Sequence, residues 1–432
     1  AALSVILSQS VPATSGGTGS SAAGNGTSGG GGQGVIEVEE DCDLIMEIKC
    51  DPQGYVKSLN LGSMLCLPQE VLSLVRLQSL SLSSPTIPPI RMSSIPSVIG
   101  QLTSLTSLQI SNTVAGGSFP ASLSQLKQLK SLSLGGTTLS GTIPHFFSCL
   151  TSLTRLELAR VGLSSSLPAG FSRLTNLIML VLPGNNLTGS LAPLAGMKRL
   201  QHINGIHNRF SGSIPSTISR LADLSTIWLD NNTITGSFPA SISKLQNLDF
   251  LGMQFNRLTG SLPQGMGGLS SLQGLDLSHN SISGSLPSTM GKLRLLRSMR
   301  VDNNSITGSI PLSFSSLTSL LLLSFLAALP RLQLIYLNNN RLNGTLPTNF
   351  ASFPALEVLI LSNNLLQGSI PPSIASAPKL TKLLLANNQL SGRLPDPSIT
   401  NPAFFTFDVQ NNNLSGPITD SVFPALPKLY IL

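Results

Sequence analysis

The side chains best suited to chemistry or to binding gather in one stretch of this chain. Only 10% of its residues are charged and 5% aromatic, yet the single tryptophan and three of the four histidines fall between residues 202 and 336. These candidates occupy predicted solvent-facing strand positions: His202, His207, Trp228, Asp230, Phe250, Phe255, Asp276, His279, Arg300, Asp302 and Tyr336. Aromatic and arginine side chains are common anchors of binding sites, and charged groups orient a ligand. The pattern predicts a ligand-binding surface; the alternative is that Trp228 and Phe250 only stabilise neighbouring strands.

Catalysis is a weaker interpretation of the same residues. His202, Asp276 and His279 could act as general acids or bases. However, the sequence lacks the motifs of serine hydrolases, zinc proteases and phosphate-binding enzymes. Groups spread over an open sheet also lack the water-excluding pocket that makes such chemistry efficient. We therefore expect no enzymatic activity, no cofactor and no metal site.

A 24-residue repeat must position these side chains. Proline recurs at this interval, usually at the end of a Gly-x-(Ile/Leu/Phe)-Pro sequence, as at Pro239, Pro263 and Pro287. Self-similarity at a fixed period of this length is the signature of a solenoid, in which each repeat packs only against its neighbours. The repeats therefore set the fold, and residues that depart from them carry the functional information.

Within each repeat, two patterns of apolar residues follow one another. In the repeat that starts at Pro287, Met299 and Val301 alternate with polar residues, which predicts a half-buried strand. Leu293 and Leu296 are three residues apart and predict a short helical turn on the opposite side. An asparagine follows each strand, where its amide can bond backbone groups of its own turn and the next. We expect a buried asparagine ladder formed by Asn185, Asn208, Asn232, Asn256, Asn280, Asn304, Asn340, Asn364, Asn388 and Asn412.

The repeat sequence L-x-x-L-x-L-x-x-N-x-L-x-G-x-I-P resembles the plant-type leucine-rich repeat. The resemblance covers residues 55–432, and the segment from Cys50 to Leu61 resembles the N-terminal module of that family. It implies an α/β repeat solenoid, a superhelix with a concave parallel β-sheet of about fifteen strands and short helical or 3-10 segments on the convex side. The predicted strands are centred on Asn60, Ser81, Gln109, Ser133, Glu157, Val181, Asn204, Trp228, Gly252, Asp276, Arg300, Tyr336, Ile360, Leu384 and Asp408.

Composition divides the chain into four segments. Residues 1–13 look like the remnant of a signal peptide, 14–34 form a Gly/Ser-rich flexible linker, and 35–54 form an N-terminal cap. Residues 55–432 form the solenoid, which ends midway through a repeat and carries a 12-residue insertion at 318–329. We interpret the insertion as a convex-side bulge or an imperfect gene model; a ligand-contacting island is the alternative.

Cysteines and glycosylation sequons favour a secreted or cell-surface protein. Cys42 and Cys50 lie close together before the first repeat and predict a disulfide, with two free thiols as the alternative. Cys149 occupies an apolar repeat position and is expected to be buried. No stretch approaches the ~20 apolar residues that span a membrane. Asn-x-Ser/Thr sequons, typical of secreted glycoproteins, occur at Asn25, Asn186, Asn231, Asn303, Asn343 and Asn413.

Two departures from the repeat predict local irregularity. One repeat is a residue short and places Gly205 at a core strand position, where we expect a bulge with Ile206 turned inward. Thr137 and Val161 replace the ladder asparagine in early repeats, which predicts a less regular N-terminal third.

The resemblance implies an extracellular recognition module, the ectodomain of a leucine-rich-repeat receptor-like kinase or receptor-like protein. Such a module would bind a peptide or protein on its concave face and a co-receptor at its C-terminal end, and a longer parent protein could carry a kinase. The alternative is a soluble cell-wall inhibitor of the polygalacturonase-inhibiting type; a structural wall glycoprotein is a third option. The net charge of +7 is spread thinly, so we expect no nucleic-acid partner.

Overall fold

The computed structural model describes residues 34–36, 46–61, 71, 73–83, 90–92, 94–111, 113–137, 139–314, 331–395, 406–417 and 430–431. The predicted signal remnant, residues 14–33 of the linker and the 318–329 insertion lie outside this range. The chain divides into two compact units, Ala1–Asn186 and Leu187–Leu432. Within the described part, no helix is long and apolar enough to cross a membrane.

The first unit contains six parallel strands, one per repeat, and an antiparallel pair at the edge. Buried apolar residues alternate with more exposed ones along these strands, so one side faces the core and the other faces solvent. Met46–Cys50 pairs antiparallel with the first repeat strand and with Gly34–Ile36. The six parallel strands are Val56–Leu61, Ser79–Ser83, Ser107–Ser111, Ser131–Gly135, Arg155–Glu157 and Met179–Val181.

The second unit continues the same pattern with ten described strands. Each pairs in parallel with its neighbour, and equivalent residues of successive repeats lie side by side. The strands are His202–Asn204, Thr226–Trp228, Phe250–Gly252, Gly274–Asp276, Ser298–Arg300, Leu334–Tyr336, Val358–Ile360, Lys382–Leu384, Thr406–Asp408 and Tyr430–Ile431. All fifteen predicted strands are confirmed, and Tyr430–Ile431 is a further one.

Short 3-10 helices form the other side of the repeats, as the leucine spacing predicts. Most begin after the repeat proline, which has extended backbone angles and ends the preceding segment, and each buries one large apolar residue. The helices of the first unit are Ser97–Gln101, Ala121–Gln125, His145–Cys149 and Ala169–Arg173. Those of the second are Ala192–Gly196, Ser216–Arg220, Ala240–Lys244, Gln264–Gly268, Ser288–Lys292, Leu312–Phe314, Phe350–Ser352 and Pro372–Ser376.

A second set of short strands lies between the asparagine turn and the proline. These strands also pair in parallel from repeat to repeat. They are Ile90–Met92, Thr113–Ala115, Gly141–Thr142, Leu163–Ser166, Asn186–Gly189, Arg209–Ser213, Thr233–Gly236, Arg257–Leu258, Ser283–Ser285, Ser305–Gly308, Arg341–Leu342, Gln367–Gly368, Gln389–Gly392 and Asn413–Leu414.

The asparagine ladder is present at all ten predicted positions. Asn304 is typical: its amide nitrogen donates to the carbonyls of Leu277, Val301 and Asp302 at 3.0 to 3.1 Å. Its amide oxygen accepts from the backbone N–H of Ile282 at 2.9 Å. Each asparagine thus satisfies backbone groups of its own turn and of the preceding repeat. In the earlier repeats, the buried Thr137 hydroxyl has no hydrogen-bond partner.

The longer spacing before Tyr336 interrupts neither the sheet nor the ladder. Ser298 pairs in register with Leu334, although 36 residues separate them. Asn340 donates to the carbonyl of Val301 at 3.0 Å and accepts from the backbone N–H of Ile306 at 3.0 Å. The repeats on either side of the insertion are therefore bonded as directly as any other pair.

The bulge predicted at Gly205 is wrong. The Gly205 N–H bonds to the Trp228 carbonyl at 2.8 Å, in the same register as the other repeats, and Ile206 is half-buried rather than in the core. The missing residue lies instead before the helix Ala192–Gly196. Leu191 caps that helix where most repeats have proline. The shortened turn absorbs the deletion, so the strand keeps its pairing.

The predicted burial of Cys149 is also wrong. Cys149 ends the helix His145–Cys149 and is an exposed free cysteine, because Phe147 supplies the apolar side chain that this helix buries. Cys50 is likewise exposed, at the end of its strand. Its predicted partner Cys42 lies outside the described residues, so the disulfide stays a prediction.

Candidate functional site

The eleven predicted residues all lie on one surface of the second unit, which we call the strand face. In each repeat this surface consists of four positions: the first and third residues of the strand, and the second and third residues after it. His202 and Phe250 are first strand residues; Trp228, Asp276, Arg300 and Tyr336 are third; Asp230 and Asp302 follow their strands; and His207, Phe255 and His279 occupy the turn. Parallel pairing in constant register aligns equivalent positions into rows across the sheet.

Trp228 and Phe250 form one contact of the strand face. Their ring centroids are 6.1 Å apart with planes inclined at 61°, an edge-to-face arrangement. Trp228 keeps 39% of its surface exposed. The predicted alternative, cross-strand packing, therefore describes part of what these rings do, but it leaves much of the indole available to a ligand.

Two glycines that the sequence analysis missed make room for Phe250. A Cβ on Gly274 would lie 2.5 Å from the Phe250 ring, and one on Gly252 would lie 2.9 Å from it. The ring therefore lies over one glycine of its own strand and one glycine of the next strand, where no side chain occupies the space. A glycine inside a strand often marks a close approach by another group, and this was the available signal.

The turn residues of the strand face adopt left-handed backbone angles. The φ angles of His207, Phe255 and His279 are 55°, 53° and 54°. In the other described repeats of this unit the same position is asparagine, at Asn231, Asn303, Asn339, Asn363, Asn387 and Asn411, also with positive φ. Asparagine tolerates this conformation, whereas a bulky side chain does so at a cost. Histidine also occurs at positive φ more often than most residues, so the local strain falls on Phe255.

Phe255 and His279 stack on one another from adjacent repeats. Their ring centroids are 4.1 Å apart and their planes 12° apart. Phe255 is 46% exposed, so the pair presents a flat aromatic edge to solvent. Asn303, in the next repeat, places its amide nitrogen 3.2 Å from Nε2 of His279.

Arg300 lies between two buried carboxylates on the strand face. Its Nε is 3.7 Å from Asp276 Oδ2 and 3.9 Å from Asp302 Oδ1, which is too long for hydrogen bonds. Its guanidinium carbon lies 4.9 Å from the ring centroid of Tyr336. The buried Arg300 Nε and Asp302 Oδ1 atoms have no hydrogen-bond partner. Burial raises the pKa of Asp302, although the charge of Arg300 opposes the increase.

Asp230 and His202 complete the set. Asp230 Oδ1 accepts the backbone N–H of Gln254 at 2.9 Å. Burial, with a smaller contribution from the charge of Asp276, raises the pKa of Asp230 to about 6. His202 Nδ1 lies 3.1 Å from the Thr226 hydroxyl, at hydrogen-bond distance. The structure therefore brings Asp230, Asp276, Arg300 and Asp302 into one charged cluster and leaves His202 outside it.

This arrangement is suited to binding. No group of three or more His, Cys, Asp or Glu side chains among the described residues could hold a metal ion. Aromatic surfaces, an exposed arginine fork and partly paired carboxylates are the groups that anchor peptides and proteins. The first unit has a hollow of its own, of about 290 Å³, lined by Ser107, Ser131, Arg155 and Glu157. That hollow could not be predicted from the sequence, because half of its lining residues are the serines that recur on these strands.

Comparisons with known proteins place the repeat in a family. A leucine rich repeat model matches residues 330–390, and a second matches 128–150, 223–245, 271–293 and 295–317. The chain matches none of the curated proteins.

Solved structures of similar fold come from plants and from a bacterium. The ectodomain of the Arabidopsis thaliana receptor kinase GASSHO1/SCHENGEN3, in complex with CASPARIAN STRIP INTEGRITY FACTOR 2, is 29% identical with a TM-score of 0.73; the match covers 87% of this chain and 42% of that one. The Arabidopsis HAESA ectodomain, in complex with an IDA peptide hormone, is 27% identical with a TM-score of 0.70, covering 87% and 65%. A Leptospira interrogans leucine-rich-repeat protein is 27% identical with a TM-score of 0.67, covering 87% and 89%.

The chain thus spans about two fifths and two thirds of the two plant ectodomains. The periodic leucines recur from the first repeat to the last described one, and the asparagine ladder runs from Asn185 to Asn412. The chain belongs to the plant-type leucine-rich-repeat family.

Proposed function

We propose that this chain is an extracellular recognition module that binds a peptide or protein on the strand face of its second unit. The binding region runs from the strand His202–Asn204 to the strand Leu334–Tyr336 and centres on the exposed aromatic residues. The module would be part of a receptor ectodomain. The two Arabidopsis ectodomains were solved with a named ligand, in one case described as a peptide hormone, which supports this proposal.

The observation that carries the proposal is the left-handed turn row. Six of its nine members in this unit are asparagine and two are histidine, residue types that are enriched in this backbone conformation, whereas Phe255 is bulky and 46% exposed. Local strain that the fold does not require points to a function for the strained residue. An exposed, preorganised aromatic pair on the same face as Trp228 supplies apolar contact area at little entropic cost to the binder.

Partners beyond the ligand belong to the same proposal. A receptor ectodomain of this family would recruit a co-receptor at its C-terminal end, and glycans at exposed sequons such as Asn343 and Asn413 would lie away from the strand face. Asn231 and Asn303 lie within the strand face, so glycans there would limit the size of the partner.

The test uses a substitution that restores the repeat consensus. Twelve-residue random peptides are selected on immobilised wild-type protein, and their dissociation constants are measured by biolayer interferometry. We expect Phe255→Asn to weaken the selected peptides by about tenfold or more, because it removes a central aromatic anchor. The thermal midpoint should stay the same or rise, because asparagine fits a φ of 53° better than phenylalanine.

Leu365→Ala is the matched control. Leu365 is 44% exposed, close to the value for Phe255, but it lies in the turn after a ladder asparagine and outside the strand face. This variant should bind the selected peptides like wild type. The proposal fails if no peptide is selected, or if Phe255→Asn and Trp228→Ala both bind as tightly as wild type.

A further inference from the structure

The charges of the strand face are not balanced. Between His202 and Tyr336 this face carries three carboxylates, those of Asp230, Asp276 and Asp302, against the single guanidinium of Arg300. It therefore has an excess of two negative charges in a chain whose net charge is +7. The three carboxylate residues are only 7%, 8% and 4% exposed. Each accepts a hydrogen bond on one oxygen: Asp230 from the Gln254 N–H, Asp276 from the Ser278 N–H and hydroxyl, and Asp302 from the Asn303 amide. Neutral donors satisfy these oxygens but do not cancel the negative charge, and burying an uncancelled charge is costly.

Arg300 pairs only loosely with its two acidic neighbours. Its Nε approaches Asp276 and Asp302 only to 3.7 and 3.9 Å, and neither contact is a hydrogen bond. Asp302 Oδ1 is buried, faces Arg300, and has no hydrogen-bond partner. Meanwhile the Arg300 side chain is 42% exposed and its guanidinium lies beside the Tyr336 ring. The Arg300 guanidinium therefore makes no short hydrogen bond to either carboxylate, and a cationic group of a ligand could displace it.

The Asp230 carboxylate extends towards the same region of the strand face from the opposite direction along the sheet. Its two carboxylate oxygens lie 3.1 and 3.2 Å from where a Cβ on Gly252 would be, so the carboxylate extends over the neighbouring strand. Gly252 pairs in register with Asp276 on the next strand. The Phe250 ring crosses the same glycine, and Trp228 pairs with it on the remaining side. Two carboxylates and two aromatic rings therefore surround one residue that has no side chain.

We propose that Asp276, flanked by Asp230 on one side and by Asp302 on the other, is the centre of a subsite for one cationic group of the ligand, a guanidinium or an ammonium, with Trp228 and Phe250 as its aromatic wall. Carboxylates pair with such a group directly, and aromatic faces attract it through their quadrupole. This inference rests on the proposed function, because it names the chemistry of the ligand at the same surface. Arg300 then acts as an internal competitor for the carboxylates, so its removal should strengthen binding of the cation.

The test uses the protein's single tryptophan, which lies in the subsite, as the reporter. N-acetyl-arginine amide is titrated into the protein while Trp228 fluorescence is recorded, with N-acetyl-citrulline amide as the neutral isostere. We expect a saturable change with an apparent Kd about tenfold lower for the arginine probe than for the citrulline probe. Asp276→Asn combined with Asp302→Asn should abolish this preference. Asp223→Asn, an exposed aspartate outside the strand face, should not change it.

Arg300→Gln gives a prediction of opposite sign, which a loss of folding could not imitate. The arginine probe should bind this variant about three- to fivefold more tightly than wild type, because a competing positive charge is gone. The inference is overturned if the two probes act alike, if the double variant keeps the preference, or if Arg300→Gln weakens the arginine probe. If no peptide is selected but the protein still prefers the arginine probe, the proposed function is rejected and the cationic subsite is supported. If peptides are selected but the arginine and citrulline probes bind alike, only the cationic subsite is rejected.

Discussion

Replacing a ladder asparagine should destabilise the preceding repeat more than the repeat that contains the asparagine. Asn304→Ala removes bonds to three carbonyls and one backbone N–H. The Leu277 carbonyl still accepts from Asn280, and the Val301 carbonyl still accepts from Asn340. The buried N–H of Ile282, in the preceding repeat, loses the Asn304 oxygen that satisfies it. The structural damage therefore falls one repeat upstream of the substitution.

The magnitude follows from these partners. Leaving one buried N–H unsatisfied costs about 1–3 kcal/mol, and each weakened carbonyl bond adds about 0.5–1 kcal/mol. We therefore expect the free energy of local opening to fall by about 3 kcal/mol, which is a drop of roughly a hundredfold in amide protection. Native-state hydrogen exchange resolved to single residues should find this drop at Ile282 and a smaller one at Ile306. Ile306 is in the repeat of the substitution, and its N–H bonds to Asn340.

Asn363→Gly is the matched control for this substitution. Asn363 is exposed, has a φ of 59° that glycine adopts freely, and donates one hydrogen bond to Asn339 at 2.7 Å. Its replacement should cost less than about 1 kcal/mol. Equal loss of protection at Ile282 and Ile306 in Asn304→Ala, or no loss at either, would refute the directional reasoning.

Three further predictions concern the strand face. Gly274→Ala places a Cβ 2.5 Å from the Phe250 ring, so it should destabilise the protein by about 1–3 kcal/mol and shift the fluorescence maximum of the lone tryptophan. Burial raises the pKa of Asp230 to about 6, so the folded state is penalised as pH rises through that value. Asp230→Asn should therefore raise the unfolding free energy at pH 7 by up to about 3 kcal/mol, with no gain near pH 4 in paired denaturant titrations. In protein secreted from eukaryotic cells, glycopeptide mass spectrometry should find Asn343 modified and Asn303 bare, because Nδ2 of Asn303 donates to Asp302 at 2.7 Å.

Periodicity predicted the backbone of this protein well, and the reason is physical. Each repeat buries the same leucines and satisfies the same backbone groups, so one correct repeat such as Pro287 to Ile310 determines the others. Register then follows, which is why residues as distant as His202 and Tyr336 could be assigned to one face. The deletion near Gly205 was misplaced because sequence alone does not say which turn absorbs a missing residue.

The contacts within the site were less predictable. That Phe250 lies over Gly252 and Gly274 depends on rotamers, which the packing of three strands selects together. The long separation of Arg300 from its carboxylates has the same origin. The strain at Phe255 was detectable, however: aligning the repeats with one another would have revealed a position where asparagine is the rule and phenylalanine the exception.

The direct bonding across the 36-residue spacing has a practical consequence for protein engineering. The Ser298–Leu334 pairing and the bond between Ile306 and Asn340 join these two repeats directly, without passing through the chain between them. Covalent continuity and structural continuity are therefore separable at this point. A chain cut between Phe314 and Arg331 would yield two halves whose reassociation re-forms one sheet. This is the place to divide the protein for a fragment-complementation reporter, or to install new termini in a circular permutant.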